Sequence, residues 1–383
     1  MTSTRATSLL AAAALFVASC AQTGNIQKIE PGERPTLESD EGGLWMQMDR
    51  VEEDLQTSGK VVTDPDLNAY VRDILCRLNA GYCADVRIYI VRTADFNASM
   101  APNGVMIVWT GIVLRAQNEA QLASVLGHEL AHYIDRHSLK RWREIRNTTD
   151  TAVFFTFATG GVFGILAGLA AYDSIMSFSR DMEREADTRG LTMMRETGYD
   201  PREAAKTWQQ LIEEREASDE PEKKSAFFST HPAAKERSET LAKLAAETDN
   251  TGTTVGRDRH AATIASFRGD WLLDELRQRD YGRFEVLLDQ LTEAGMEDGE
   301  LLFYRGEMHR LRGEDEDAEK AVTAYTAAAE SGDAPAETYR SLGLVQWSAG
   351  RTAEARAAFE TYLAAQQDAE DRAMIEHYLQ QMQ

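Results

Sequence analysis

A chain of 383 residues, 43% hydrophobic and 27% charged, has room for two folded domains and too much apolar content for global disorder. A net charge of −22 without a sizeable basic stripe excludes a nucleic-acid binder, whose phosphates demand clustered Lys and Arg.

Residues 1–19 read as a targeting segment, in which Arg5 precedes the apolar run Leu9 to Val17, too short for a bilayer span. The run ends Val17-Ala18-Ser19-Cys20, which resembles the lipobox of bacterial lipoproteins. That resemblance implies lipidation of Cys20, which becomes the mature N-terminus. With Ala21 rather than aspartate next, it also implies delivery to the outer membrane of a periplasm. The alternative is an ordinary secretory signal with a chance cysteine. Residues 20–43 are polar, with Gly24, Pro31, Gly32 and Pro35 and no periodicity, and read as a tether.

Residues 44–58 have a helical pattern, and Asp64-Pro65 starts a second helix with Asp as its cap and Pro in its first turn. Leu67, Tyr70, Val71, Ile74 and Leu78 are its inner stripe. Cys76 and Cys83 remain. An oxidising compartment favours a disulfide between them, tying the end of this helix to the start of the next strand; two reduced buried thiols are the alternative. Val86, Ile88 and Ile90 alternate with Arg87 and Tyr89, the period of a strand, and Val105 to Trp109 form another after the turn signal Asn103-Gly104. This small sheet is either a purely structural hairpin or an edge that pairs with an extended peptide.

The next helix opens with Asn118-Glu119-Ala120-Gln121, a capping box, and carries Leu122, Val125, Leu126, Leu130 and Tyr133 at helical spacing. Within it lies Gly127-His128-Glu129-Leu130-Ala131-His132, the pattern H-E-x-x-H. Two histidines four residues apart are offset by about 40° on a helix, so both rings leave one face and fit two corners of a tetrahedral zinc site. Glu129 is turned about 100° from His128, where it reaches a water without being a ligand. The bland alternative is a surface helix with incidental histidines, but burying them on this stripe is costly unless something satisfies them.

Arg136 to Arg146 is the one basic cluster, and Thr151 to Tyr172 follows without a charge. Its length is that of a membrane span, but one crossing would put the histidines and the downstream carboxylates on opposite sides. The expectation is an apolar helical hairpin over 151–176, broken near Gly160-Gly161, dipping into one leaflet or packed on the domain. Phe178 to Asp187 begins the next helix, with Glu183 and Asp187 on one face. Such a charge run is usually a solvated face. Beside H-E-x-x-H, Glu183 can supply the third ligand of a catalytic zinc. Asp187 can hold a histidine's other ring nitrogen or buttress the site.

H-E-L-A-H, a long apolar insert and S-R-D-M-E-R-E-A-D are preceded by Asn97-Ala98, Pro102-Asn103-Gly104, Thr110-Gly111 and Glu119-Ala120. Together they resemble the HtpX/CAAX-prenyl-protease-type zinc metallopeptidases, within them the periplasmic BepA-like lipoprotein branch with C-terminal tetratricopeptide repeats. The resemblance covers about residues 45–245. It implies one Zn2+ per chain held by His128, His132 and Glu183, with Glu129 as the base. It also makes His231, in Ser229-Thr230-His231-Pro232, a candidate fourth ligand or gate; the alternative is a histidine capping the next helix. Arg237 is a candidate oxyanion or supporting group.

Asp200-Pro201-Arg202-Glu203 starts another capped helix, and residues 246–262 read as a polar linker. From 263 to 383 the pattern is helix pairs: Gly306 and Gly343 recur, as do Tyr325 and Phe359, in a near-34-residue repeat of tetratricopeptide type. His260, His309 and His377 have no ligand spacing and read as structural. The expected fold is therefore mainly α with a small β-sheet: an α+β zincin-like metalloprotease domain over 44–245, then an all-α tetratricopeptide-like repeat domain. The expected function is a zinc endopeptidase of the periplasm and outer membrane acting on misfolded or stalled envelope proteins, with membrane contact through the lipid and the apolar hairpin. The alternative is an assembly factor or chaperone for outer-membrane proteins, binding through its repeats, with hydrolysis secondary or restrained by His231.

Overall fold

The computed structural model describes residues 26–147, 177–220, 226–247, 252–296 and 298–382. The targeting segment, Cys20 and the apolar stretch 151–172 lie outside the described residues. Among the described residues no helix is long and apolar enough to cross a membrane.

The chain is mainly helical around a small sheet. Helix α1 (Asp40–Thr57) is capped by the Ser39 side chain, and α2 (Pro65–Leu78) by Asp64, whose carboxylate accepts from the Asp66 and Leu67 amides. The five residues read as the inner stripe of α2 are all buried. Cys76, near the end of α2, is disulfide-bonded to Cys83, just before the sheet. Part of the expected tether is already folded body: Ile29 is 1% exposed, and its amide donates to the Ile134 carbonyl.

The sheet differs from a simple hairpin. It has three strands, β1 (Arg87–Val91), β2 (Ala98–Met100) and β3 (Val105–Trp109), in the order β1-β3-β2. The two strands read from the sequence, β1 and β3, run parallel, and β2 pairs antiparallel with β3 through the Asn103-Gly104 turn. Gly104 has φ +89°, and a Cβ there would run into the Asp85 carbonyl, so the turn requires glycine.

After α3 (Thr110–Arg115) comes the central helix, α4 (Glu119–Ile134). Its cap is a variant of the expected box. Asn118 Oδ1 accepts from the Gln121 amide at 2.9 Å, but Gln121 Oε1 reaches back to the Gln117 amide. Glu119, in the first turn, is gripped by Arg77, Arg259 and the Tyr199 hydroxyl. The helix is buried nearly all round rather than along one stripe. It is followed by α5 (His137–Asn147), α6 (Arg180–Glu196), α7 (Arg202–Ala217), a short α8 (Ala226–Thr230) and α9 (Ala234–Ala246). The strongest helix contact of α4 is with α6.

Residues 252–256, inside the stretch expected as a linker, are pinned to the body. Thr254 bridges Tyr199, and the Val255 carbonyl accepts from the Ala120 amide. Residues 257–262 already belong to α10 (Arg257–Leu276). The polar composition hides this, because the pairing uses backbone groups. Among the described residues the α-helices that follow are α11 (Tyr281–Leu291), α12 (Gly299–Arg312), α13 (Asp317–Ser331), α14 (Glu337–Ser348), α15 (Thr352–Ala365) and α16 (Arg372–Gln381). Helix α12 packs on α13 and α14 on α15. In each pair the recurring glycine makes room for the recurring ring: Gly306 lies against Tyr325, and a Cβ on Gly343 would sit 2.6 Å from Phe359.

Two buried polar joints weld α10 to the body. Arg115 lies between Glu214 on α7 and Glu275 on α10, at 2.8 and 2.5 Å. His260 Nε2–H donates to the Val113 carbonyl at 3.1 Å, and its Nδ1 accepts from the Tyr70 hydroxyl at 2.9 Å. Burial pushes the His260 imidazole down to about 4. A histidine held neutral when folded contributes stability that is complete above its unfolded value, about 6.5, and is lost as pH falls towards 4. We expect about 2 kcal/mol of stability to be lost through this residue between pH 7 and pH 5. Chemical denaturation of wild type and His260→Asn at both pH values checks this: the variant starts less stable and has the shallower pH dependence.

Candidate metal centre

The site is built from α4, α6 and the turn between α8 and α9. His128, Glu129 and His132 come from α4, Glu183 and Asp187 from α6, His231 from just after α8, and Arg237 from α9. All seven are buried, with Glu129 fully so. Ser179 caps α6, accepting from the Met182 amide, and so fixes the turn that carries Glu183. Ala233, in the left-handed region at φ +66°, turns the chain from His231 into α9. His231 itself caps nothing: α9 has no side-chain cap.

Helices α4 and α6 meet where neither has a side chain. A Cβ on Gly190 would lie 3.2 Å from the His128 amide nitrogen and 3.3 Å from the Gly127 carbonyl carbon. This backbone-to-backbone approach lets the short Glu183 side chain reach both histidines.

One ligand atom from each of His128, His132, Glu183 and His231 lies within 4.8 Å of the others. His128 Nε2 is 2.9 Å from His132 Nε2, 3.4 Å from His231 Nδ1 and 3.5 Å from Glu183 Oε2. Glu183 lies 3.6 Å from His132 Nε2 and 3.2 Å from His231 Nδ1. Ligands about 2.0–2.1 Å from a tetrahedral zinc stand roughly 3.3–3.4 Å apart, and these separations bracket that value. Three imidazoles and one carboxylate form a donor set suited to zinc.

The charges agree. The carboxylates of Glu129, Glu183 and Asp187 outnumber the single guanidinium of Arg237 by two, the charge of a divalent cation. Burial would raise Glu183, but His231 and Arg237 outweigh it and hold the carboxyl well below its ordinary range. Burial and Arg237 push His128 down, yet Asp187 and Glu183 prevail and lift it to about 9. The pocket thus draws positive charge to the place where the ring nitrogens converge. Burial pushes Glu129 up, and neither of its oxygens has a hydrogen-bond partner among the described residues. His231 Nε2 lies 3.5 Å from Oε1, and a buried carboxyl of raised proton affinity beside metal-type donors suits a general base.

Asp187 Oδ1 lies 3.0 Å from His128 Nδ1, leaving Nε2 for the cluster. Arg237 grips Asp187 through Nε and a terminal nitrogen, touches Glu183 and lies 3.9 Å over the Trp208 ring. A terminal nitrogen also lies 3.1 Å from His128 Nδ1, so these contacts tie Arg237 to the cluster. Sequence reasoning gave no role to Phe178, whose ring stacks on His132 at 3.9 Å, or to His137, 2.8 Å from His132 Nδ1. The mid-helix glycines 127 and 190 were the available signal for the helix crossing.

A helix-borne H-E-x-x-H brought against a glutamate of a second helix is a donor arrangement that suits a catalytic zinc. Residues 62–245 match the model for Peptidase family M48. The chain is 34% identical over 172 residues to the mitochondrial metalloendopeptidase OMA1 of Schizosaccharomyces pombe, covering 44% of this chain and 50% of that one. It is 28% identical over 211 residues to a putative beta-barrel assembly-enhancing protease of Vibrio cholerae, covering 51% and 41%. It is 24% identical over 212 residues to the beta-barrel assembly-enhancing protease of Escherichia coli, covering 51% and 42%. The chain thus spans half or less of the length of these relatives.

The helix crossing is directly testable. Glycine inside a helix costs about 1 kcal/mol relative to alanine, so relieving it would stabilise an isolated α6. Overpacking a close backbone contact costs about 1–3 kcal/mol, and here that effect dominates. We expect Gly190→Val to lower the melting temperature and weaken zinc binding together, as read by thermal denaturation and chelator competition.

Proposed function

We propose that this protein is a zinc-dependent endopeptidase of the bacterial periplasm, held at the outer membrane through Cys20, that cleaves misfolded or stalled envelope proteins. The observation that carries the enzymatic part is the fully buried Glu129 carboxylate, without a hydrogen-bond partner among the described residues, beside four converging metal-type donors. The cellular part is supported by the lipobox-like segment and by relatives named as assembly-enhancing proteases.

In this reading His128, His132 and Glu183 hold the ion, and His231 is the fourth ligand of the resting state. Zinc would supply Lewis acidity towards the scissile carbonyl and acidify water. Glu129 takes the proton of the attacking water and passes it to the leaving amine nitrogen. Burial serves it in this role by raising its affinity for that proton. Asp187 keeps His128 in the tautomer with Nε2 free. With His231 as a fourth donor the cluster would leave no room for substrate at the ion, so His231 would have to withdraw before a peptide is cut. The helices of 263–383 would present unfolded substrate, and the apolar stretch 151–172 would touch lipid.

A second reading, an assembly factor whose hydrolysis is secondary, is favoured by the helical array welded to the body through Arg115 and His260. One set of variants separates the two. Glu129→Gln should bind zinc like wild type and lose casein hydrolysis by about 100-fold or more, whereas His231→Ala should raise hydrolysis. Full proteolysis by Glu129→Gln overturns the base assignment. A Glu129→Gln protein that fully supports outer-membrane protein assembly in cells favours the second reading.

A further inference from the structure

We infer that His137, anchored by Glu185, is a positioning residue that sets the tautomer of His132 and so aims His132 Nε2 at the metal site. The inference rests on the zinc reading above, but its chemistry stands on hydrogen-bond geometry outside the ligand set.

His137 follows His132 by five residues. On a continuous helix their side chains would point about 140° apart and never meet. Helix α4 ends at Ile134, and Arg136 takes φ +52°, a left-handed conformation uncommon for a residue other than glycine. The chain reverses there and α5 begins at His137. The turn is clamped on both sides. Asp135 receives two hydrogen bonds from Arg189, at 2.7 and 2.9 Å, and Arg136 pairs with Glu33 and Glu41. The clamped turn delivers the His137 ring, fully buried, to the back of His132.

Hydrogen inventory then assigns the protons. His137 Nε2 lies 3.1 Å from Glu185 Oε2, a carboxylate oxygen that only accepts, so Nε2 carries the hydrogen. A neutral imidazole has one N–H, so His137 Nδ1 presents a lone pair. His132 Nδ1 lies 2.8 Å from it and must donate. His132 is thereby left with its lone pair on Nε2, the nitrogen that faces His128 and Glu183. Lys140 Nζ, 3.5 Å from Glu185, helps keep that carboxylate in place. The two ligand histidines are thus aimed by different means: His128 by the Asp187 carboxylate, His132 by a neutral imidazole that relays a carboxylate from α6.

The test uses the full chain and zinc alone. Zinc affinity is measured by chelator competition for wild type, His137→Phe, His137→Asn and Glu185→Ala. The His132 ring tautomer is read from the nitrogen-15 shifts of its imidazole in wild type. Phenylalanine keeps the bulk and removes the acceptor, whereas the asparagine side-chain oxygen falls near the position of Nδ1. We expect His137→Phe to weaken zinc binding about 10–100-fold, His137→Asn to restore most of it, and Glu185→Ala to fall between. In wild type, His132 should carry its hydrogen on Nδ1. Tight zinc binding by a folded His137→Phe, equal losses in the Phe and Asn variants, or a wild-type His132 with its hydrogen on Nε2 would overturn the inference. If the Phe variant does not fold, the Asn and Glu185 variants and the wild-type spectrum decide. Failure of wild type to bind zinc defeats the zinc reading instead, and the His132 tautomer still answers for His137.

Discussion

The structure depends on one close approach: the backbones of α4 and α6 touch at Gly127 and Gly190. A glutamate side chain spans only a few ångströms, so a ligand on one helix meets two on another only if the helices nearly merge. Everything around α4 holds that crossing. Glu119 is gripped by Arg77, Tyr199 and Arg259 at one end, and Asp135 by Arg189 of α6 at the other. The middle of α4 and its C-terminal end are therefore fixed against the helix that completes the site, and its N-terminal end is held by the elements around it.

The second constraint is electrostatic. Buried carboxylates are costly unless each is answered by a charge or a donor. Arg237 answers Asp187 and touches Glu183, so one guanidinium serves two of the three buried carboxylates. Removing one member of such a buried pair typically costs about 3–5 kcal/mol, so the cluster gives up stability for an arrangement that a divalent cation completes. The same logic explains Glu129. A buried carboxyl with no hydrogen bond among the described residues, and only His231 Nε2 at 3.5 Å to answer its charge, is unfavourable in the fold and well suited to taking a proton.

Much of the site could be read from the sequence because it follows helical spacing. His128 with His132, and Glu183 with Asp187, are each four residues apart on one helix, and Asn118 and Ser179 mark where those helices start. His137 escaped because its contact needs a turn through left-handed Arg136, which no glycine announced. Strand β2 escaped because three residues are too short to display a period of two. The stretch before α10 looked like a linker because its attachments, Thr254 to Tyr199 and Val255 to Ala120, are backbone pairs that composition does not encode. The partners of His260, Tyr70 and Val113, lie far away in the chain, and only the fold brings them together.

The most direct test of the central claim is X-ray absorption at the zinc edge on the purified full chain, combined with its metal content. The account predicts one zinc per chain in a shell of nitrogen and oxygen ligands at about 2.0–2.1 Å, with the scattering signature of imidazole. Protein purified without stoichiometric zinc and unable to take it up, or zinc held by sulfur at about 2.3 Å, would contradict it.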